Sequence, residues 1–349
     1  MAEVDVPDTL RGDLRTAWHR YVDMLVPLRP ALYGYCRRLT GNVWDAEDLV
    51  QDSLLRAFGR WGVTYPEIRD LRAYLLRTAT NVWIDEQRRR ETAARAGIDR
   101  TPAAGADPAL SSDLRDAGSR LLQLLAPQER AALVLKEVFD MTLEEIAELL
   151  ATTTGAIKAA LHRGRGRLRE PEGAPASRRP VPSPHLVDRF IERCNARDVK
   201  GLVALMLDGA TAENVGNSFH VGVEHPTEGT RQFLHKVVHG HDEWPSQTRP
   251  DAVRIERVEY EGEPIALMLV TRWGSEALEV LFRFEEQDGR IARIRAYGFC
   301  PETVGAVGEA LGVRVLTGLY RAPTPAPGES WPDPTAAPAG PPSSPALKP

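Results

Sequence analysis

Basic side chains are concentrated in one short stretch of this chain. Between positions 151 and 169 there are five lysines and arginines and no acidic residue, namely Lys158, Arg163, Arg165, Arg167 and Arg169. The preceding stretch carries Glu144, Glu145 and Glu148 instead. Lysines and arginines bind nucleic-acid phosphates by releasing condensed counterions, so this polarised charge predicts contact with DNA or RNA.

Two helices are predicted to position these charges. In residues 142–150 the apolar side chains repeat at i, i+3, i+4 and i+7, which is one face of a helix, through Leu143, Ile146, Ala147 and Leu150. Thr142 and Glu145 have the spacing of a capping box. Thr153 can cap a second helix, whose apolar positions are Ile157, Leu161 and Leu168. The pattern predicts a helix-turn-helix with its second helix in the major groove.

Individual DNA contacts follow from this geometry. The first residues of the inserted helix, Thr154, Gly155 and Lys158, are expected to meet base edges. The later residues, His162, Arg163 and Arg165, are expected to contact DNA as well, with the arginines on phosphates. The alternative is a helical hairpin whose basic face is only solvated. Gly164 and Gly166 lower helix propensity there, by about 1 kcal/mol each relative to alanine.

Composition limits the class of protein. The 349 residues carry a net charge of −5, so a DNA-binding surface has to be local. The three cysteines, Cys36, Cys194 and Cys300, lie far apart and match neither a disulfide framework nor a CxxC metal site. The acidic, polar N-terminus lacks the apolar stretch of a signal peptide, and no apolar run reaches membrane length. We expect a cytoplasmic protein with no membrane partner.

Shifts in composition predict the domain organisation. Residues 13–91 read as helical, 92–112 as an Ala/Gly/Pro/Ser-rich linker and 113–170 as a small helical domain. A Pro-rich linker at 171–184 leads into residues 185–320, where one helix is followed by strand-like runs and an Asp288-Gly289 hairpin signal. Residues 321–349 are rich in Pro and Ala and are expected to be disordered.

Residues 125–170 resemble the −35-binding region 4 of sigma-70 family factors, in the Leu125–Arg130, Glu144–Ala147 and Ile157–Arg163 motifs. The chain departs from the family pattern at Ala159-Ala160, where Ser-Arg is common, and at Ala151, where Gly is common. The resemblance implies a sigma factor that binds promoter DNA and core RNA polymerase, including the β flap. The lost arginine puts the −35 sequence preference in doubt.

A second motif resembles region 2 of the same family. It is NVWDAEDLVQDSLLRAFGRW at 42–61, where Asp45 can cap a helix with one apolar and one acidic face. The resemblance implies that the acidic face binds the β′ clamp helices of the polymerase, through Asp45, Glu47, Asp48, Gln51 and Asp52. An ordinary acidic surface helix is the alternative.

Residues 71–90 resemble the helix with which the family holds the opened −10 strand. The residues expected to contact this DNA are Arg77, Asn81, Arg88, Arg89 and Arg90. Aromatic side chains could stack on its bases, although Tyr74 and Trp83 are expected to be mostly buried. The loop 62–70 lies where the family reads a flipped −10 base. Since the region that joins these motifs in housekeeping factors is absent, the chain resembles the small extracytoplasmic-function group.

The C-terminal segment 185–320 resembles SnoaL-like α+β cone domains, through Phe190, Asn195, Ala196, Asp198 and Leu205. His235 and His239 stand at i and i+4, with His241, Asp242 and Glu243 behind them, but no HExxH motif is present. His220, Glu224, His225, Trp244 and Trp273 could line a pocket. We predict no metal, cofactor or catalytic residue, and a regulatory domain that packs on the sigma part or binds a small ligand or a protein partner.

Two other functions stay open at this point. One is a helix-turn-helix regulator with a ligand-sensing SnoaL-like domain, and the other is a DNA-binding module fused to a SnoaL-like enzyme. The acidic helix 45–58 separates the first from a sigma factor, because only a sigma factor needs the polymerase in order to bind a promoter. The enzyme would need a proton-transfer residue in a pocket, and no clear one stands out.

Overall fold

The computed structural model describes residues 8–64, 68, 70–95, 122, 124–169, 181–223, 229–243 and 249–316. The predicted disordered tail and most of both linkers lie outside these residues. The chain divides into two compact units, Met1–Arg179 and Pro180–Pro349. Each unit has its own apolar core, and each is described by itself.

The first unit is helical, as predicted. Its helices are α1 (Asp8–Leu25), α2 (Arg29–Thr40), α3 (Val43–Thr64), α4 (Leu71–Arg95), α5 (Pro127–Glu137), α6 (Leu143–Leu149) and α7 (Thr154–Arg169). Helix α4 continues to Arg95, four residues into the segment predicted as a linker. Helix α1 begins before the predicted domain start at residue 13.

The cap of α3 differs from the prediction. The side-chain oxygen of Asn42 accepts a hydrogen bond from the backbone N–H of Asp45 at 2.8 Å. The Asn42 amide nitrogen donates to the Asp45 carboxylate, also at 2.8 Å. Asn42 is therefore the capping residue, and Asp45 lies three positions inside the helix with its carboxylate turned back onto the cap.

The two helical segments of the first unit pack on one continuous apolar core. The Arg130 guanidinium of α5 donates to the Leu39 carbonyl at 2.6 Å and lies 5.2 Å from the centre of the Trp83 ring. Phe139 meets Tyr35 edge-on, with ring centres 5.6 Å apart. The two segments that the sequence pattern separates therefore share one core.

The second unit confirms the predicted α+β architecture. Its elements are α8 (Pro184–Asn195), α9 (Val199–Ala204), β1 (Met206–Asn214), β2 (Ser218–Val221), α10 (Thr230–His239), β3 (Ala252–Tyr260), β4 (Glu263–Arg272), β5 (Ser275–Gln287), β6 (Arg290–Ala296) and α11 (Pro301–Leu311). The Ser183 side chain caps α8 by accepting from the Leu186 N–H. The predicted linker therefore ends before residue 184, because Ser183 and Pro184 already belong to this helix start.

One six-stranded sheet organises this unit, in the order β2-β1-β6-β5-β4-β3. All neighbours are antiparallel except β1 and β6, which run parallel. The first helix packs on one face, where the Phe190 and Phe284 rings lie 4.8 Å apart. Residues 264–270 of β4 are all buried, so both faces of the sheet are covered there. Helices on a sheet are the architecture that the SnoaL-like resemblance predicts.

Three two-residue turns join β3 to β4, β4 to β5 and β5 to β6. They are Glu261-Gly262, Trp273-Gly274 and Asp288-Gly289, and φ is positive at both residues of each. Positive φ at both central positions is what a type I′ hairpin turn requires, and Asp-Gly is a favoured pair for it. The Asp288-Gly289 hairpin predicted from the sequence is confirmed. Glutamate and tryptophan are poorly suited to this conformation, which explains why the other two turns carry a weaker sequence signal.

Two glycines of α11 provide a matched test of packing. A Cβ on Gly305 meets nothing within 4 Å, whereas a Cβ on Gly308 comes within 2.2 Å of a Val315 methyl carbon. We expect Gly305→Ala to stabilise the fold by about 0.5–1 kcal/mol, because alanine loses less backbone entropy in a helix. Gly308→Ala should destabilise it by about 1–3 kcal/mol through overpacking. Urea unfolding of both full-length variants measures this, and equal shifts would contradict the packing.

Candidate nucleic-acid interface

The turn between α6 and α7 has the geometry of a helix-turn-helix. The Thr142 hydroxyl accepts from the Glu145 N–H, and the Glu145 carboxylate accepts from the Thr142 N–H at 2.7 Å, so the predicted capping box is confirmed. These hydrogen bonds hold the pKa of Glu145 below its usual range. The Thr153 hydroxyl caps α7 by accepting from the Ala156 N–H at 3.1 Å, which confirms the second predicted cap.

Ala151 explains the glycine that the family pattern favours at this turn. Its φ is +49°, in the left-handed region. The next N–H, of Thr152, donates to the Ala147 carbonyl at 2.9 Å, which closes the end of α6. An alanine pays a steric penalty in this conformation that a glycine does not, so the departure at 151 costs stability without changing the turn.

One face of α7 is open to solvent. Gly155, Lys158, His162 and Arg165 are exposed along this face, and Thr154 is half-exposed at its start. Ile157 and Leu161 are buried on the opposite face, as predicted. The exposed positions are spaced three and four apart, so they form a stripe that can follow a groove.

The last arginines of α7 turn back onto α5. Arg163 and Arg167 donate to the two carboxylate oxygens of Glu129, at 2.9 and 2.6 Å, and the Glu129 side chain is only 4% exposed. Arg165 pairs with Glu137 at 2.5 Å across two exposed side chains. Arg163 therefore serves to fix α7 on α5, a role that the sequence pattern did not suggest. Arg165 can exchange its partner for a phosphate at little cost, because exposed pairs are weak.

The missing family arginine falls on a buried position. Ala160 is buried together with Ile157 and Leu161, whereas Ala159 is exposed. An arginine at 160 would have to leave this packed side of α7. In this fold, the positions of the exposed stripe nearest to residue 160 are Lys158 and His162.

The predicted −10 helix, α4, exposes part of its set. Asn81, Arg88 and Arg89 are exposed, and Arg90 is half-exposed. Arg89 and Arg90 share Glu86, at 2.8 and 3.0 Å. These are exposed pairs within one helix, so they can release their arginines to DNA phosphates with small loss.

Arg77 of α4 is bound to a residue of another helix. It donates to the Glu148 carbonyl at 2.8 Å and lies 3.6 Å from the Glu148 carboxylate, at the end of α6. Trp83 is buried beneath Arg130, as expected, whereas Tyr74 is only partly buried. Burial lowers the pKa of the Arg130 guanidinium to about 10. This pKa is still well above neutral pH, so the group stays charged. Arg77 can meet DNA only after it leaves Glu148, and Trp83 offers no stacking face in this arrangement.

The acidic helix α3 requires a correction. Asp45 and Glu47 are buried, so the prediction that both lie on an open acidic face is wrong. Glu47 accepts from the Arg29 guanidinium at 2.5 Å and from the Gln51 amide at 2.7 Å. A buried carboxylate needs such partners, because an unpaired charge in the core is strongly destabilising.

The accessible part of α3 is smaller and more apolar than predicted. Asp52 is exposed, Asp48 and Gln51 are half-buried, and Leu55 is 54% exposed. Asp48, Asp52 and Leu55 are spaced by four and three residues, so they share one side of the helix. We call these three residues the α3 patch. The sequence contained a sign of this exposed leucine. Leu54 and Leu55 are adjacent, and one helix face cannot bury both.

The histidines of the second unit that the sequence places close together do not form one cluster. The rings of His235 and His239 lie 4.8 Å apart, but His241 turns away to Glu279, at 2.6 Å. His220 is buried beside Ser218, at 3.2 Å. Among the described residues, no group of three His, Cys, Asp or Glu side chains is placed to hold a metal ion. Glu224, His225 and Trp244 and the Glu243 side chain lie outside the described residues, as does most of the loop 65–70.

None of the described helices is both long and apolar enough to cross a membrane.

Two family models match the chain. Sigma-70 region 2 matches residues 24–92, and Sigma-70, region 4 matches residues 119–168. These matches include α3, α4 and the helix-turn-helix.

Curated relatives share this part of the chain. The RNA polymerase sigma-E factor of Streptomyces avermitilis is 36% identical over 146 residues, which are 40% of this chain and 78% of that protein. The ECF RNA polymerase sigma factor SigG of Mycobacterium tuberculosis is 32% identical over 211 residues, covering 51% of this chain and 57% of that protein. Among solved structures, the extracytoplasmic function sigma factor SigJ of M. tuberculosis is 20% identical with a TM-score of 0.31, over 81% of this chain and 98% of that one.

The left-handed alanine in the turn gives a direct prediction. Ala151→Gly removes the steric penalty at φ +49°, and we expect it to stabilise the chain by about 1 kcal/mol. Thermal unfolding of the full-length protein measures the gain, with Ala159→Gly, on an exposed helical position, as the destabilising control. A loss of stability in Ala151→Gly would show that the turn is not left-handed there.

The burial of Glu47 can be tested by comparison with the exposed Asp52. Glu47→Gln keeps the shape but takes the carboxylate from the buried Arg29, so we expect a loss of about 3–5 kcal/mol. Asp52→Asn changes an exposed carboxylate of the same helix and should shift stability by less than about 0.5 kcal/mol. Chemical denaturation measures both variants. Similar small effects would place Glu47 on the surface.

Proposed function

The chain belongs to the sigma-70 family of RNA polymerase sigma factors, and we propose that it directs promoter-specific initiation under the control of its C-terminal unit. The supporting observation is the charge separation within the helix-turn-helix. Arg163 and Arg167 pair with the buried Glu129, whereas Arg165 pairs with the exposed Glu137, and Lys158 and His162 are exposed beside it. This leaves one helix face for DNA.

We assign the −35 contacts to the exposed stripe of α7. Thr154, Gly155 and Lys158 lie at the N-terminal end, which in a helix-turn-helix approaches the base edges. His162 and Arg165 follow one and two turns later and are placed for the backbone. Arg163 is removed from the predicted set, because it is one of two arginines that pair with the buried Glu129 carboxylate, and a move to a phosphate would break one of these pairs.

We assign the −10 contacts to the exposed end of α4. Asn81 can hydrogen-bond a base, and Arg88, Arg89 and Arg90 can neutralise phosphates of the opened strand. Arg77 joins this set once its side chain leaves Glu148, and this costs little because both side chains are exposed.

The surface proposed to bind core polymerase is the α3 patch. Its two carboxylates can pair with a basic helix pair such as the β′ clamp, and the exposed Leu55 adds an apolar contact between them. Partly exposed charges steer association, while a central apolar side chain slows dissociation. A factor that works on the polymerase in this way acts in the cytoplasm.

The C-terminal unit is proposed to regulate this activity. Its core is separate from that of the helical unit, so it can fold and respond on its own. The unit is joined covalently to the sigma part, so its effective concentration there is high without a separate partner protein.

Reconstitution with core polymerase tests the whole proposal. We expect the full-length chain to support run-off transcription from its own promoters, and removal of residues 180–349 to change that activity or its dependence on conditions. If neither form ever supports promoter-specific initiation, the sigma role is wrong. If both forms are equally active under all conditions, the regulatory role is wrong.

The DNA contacts have distinct signatures. Lys158→Ala should lose about 1–3 kcal/mol of discrimination between the preferred −35 sequence and a changed one. Arg165→Ala should weaken binding of all sequences and reduce the salt slope by about one. Holoenzyme binding to matched promoter fragments at several salt concentrations measures both. A sequence-selective loss for Arg165→Ala would contradict its assignment to the backbone.

A further inference from the structure

We propose that the second unit binds a small carboxylate with an apolar body, in a pocket at the end of β4 and β5. Val270, Ala277 and Leu316 give the pocket an apolar lining. Arg272, Arg314 and Ser275 supply its polar groups, and Trp273 also lines it. Pockets for small molecules combine an apolar lining with a few polar groups that fix orientation, and this site has that composition.

The charge of the pocket favours an anion. Two arginines line it, and none of the described acidic side chains does. Arg314 is exposed, whereas the Arg272 side chain is only 3% exposed. A planar guanidinium matches the two oxygens of a carboxylate, so a pair of arginines at one pocket selects that group over a neutral one.

Arg272 is held in place by a buried cluster beside the pocket. Its guanidinium donates to Glu279 at 3.0 Å, and His241 contacts the other oxygen of the same carboxylate at 2.6 Å. Glu279 is fully buried, and the His241 side chain is 14% exposed. Buried ionic groups seldom add net stability over apolar residues of the same volume. Their presence here fixes the direction of Arg272 instead, which is what a preorganised binding group requires.

Trp273 gives a second, independent indication. It occupies the first position of the β4–β5 turn with φ +50°, a strained conformation for a large aromatic residue. The side chain is nevertheless 65% exposed, so packing does not explain the residue. Glu261 has the same φ in the β3–β4 turn, so this conformation follows from the hairpin, and only the exposed ring is specific to the pocket. An exposed ring beside two arginines can cover the apolar part of a bound anion.

The size of the pocket limits the ligand. The enclosed space is about 40 Å³, and its mouth is open to solvent. Since one water-sized group needs roughly 10–15 Å³, this space holds a carboxylate group but not a whole ring. A compact monocarboxylate therefore places its carboxylate in the pocket and rests its apolar body against Trp273 at the mouth.

Binding of sodium benzoate to the full-length chain tests the proposal, with benzamide as the neutral probe of equal shape. We expect saturable binding of benzoate by calorimetry or by a change in tryptophan fluorescence, and at least about tenfold weaker binding of benzamide. Arg314→Ala should weaken benzoate binding about tenfold. Arg290→Ala, at an exposed arginine elsewhere in the same unit, should leave it unchanged.

The variant Trp273→Asn separates a loss of binding from a loss of folding. Asparagine suits the left-handed turn, so this variant should unfold no more easily than the original chain, yet it should bind benzoate more weakly. The proposal is overturned if benzoate fails to saturate the chain below about 10 mM, or if binding is the same in Arg314→Ala and Arg290→Ala. These measurements contain no polymerase or DNA, so their failure is separate from failure of the sigma role.

Discussion

The helical unit depends on one shared apolar core. Helices α2, α3 and α4 on one side and α5, α6 and α7 on the other bury their apolar faces in a single cluster. Arg130 links the two sides, because its guanidinium binds the Leu39 carbonyl and covers the Trp83 ring. Separation of the two sides would take this cation from the Leu39 carbonyl and from the Trp83 ring, so both packing and charge hold the sides together.

This docking divides the arginines into two kinds. Arg163 and Arg167 are bound to a buried glutamate, and Arg130 is itself buried, so these side chains maintain the fold. Arg88 and Arg89 pair only with exposed acids of their own helix and remain available to a phosphate. Sequence position does not separate the two kinds. The burial of the carboxylate partner does, because desolvation decides how much is lost when an ion pair opens.

The second unit uses its buried charges in another way. Arg272, Glu279 and His241 meet at one end of a sheet whose remaining interior is apolar. The same end carries the strained turn at Trp273. Glu261 and Asp288 have a similar positive φ in the other two turns, so the buried charge cluster, and not the turn, distinguishes this end of the sheet. The cluster lies beside the pocket that Arg272 lines.

The sequence alone determined the helix-turn-helix, its two caps, the α+β class of the second unit and the Asp288-Gly289 hairpin, because these depend on local spacing and turn chemistry. Composition and family motifs also located α3, α4 and their charged residues. Tertiary structure decided which of these residues are accessible. It buried Asp45 and Glu47, tied Arg163 to Glu129 and Arg77 to Glu148, and brought His241 to Glu279 from 38 positions away. Periodicity describes which side of a helix is apolar, but only the packing of distant elements shows what covers each side.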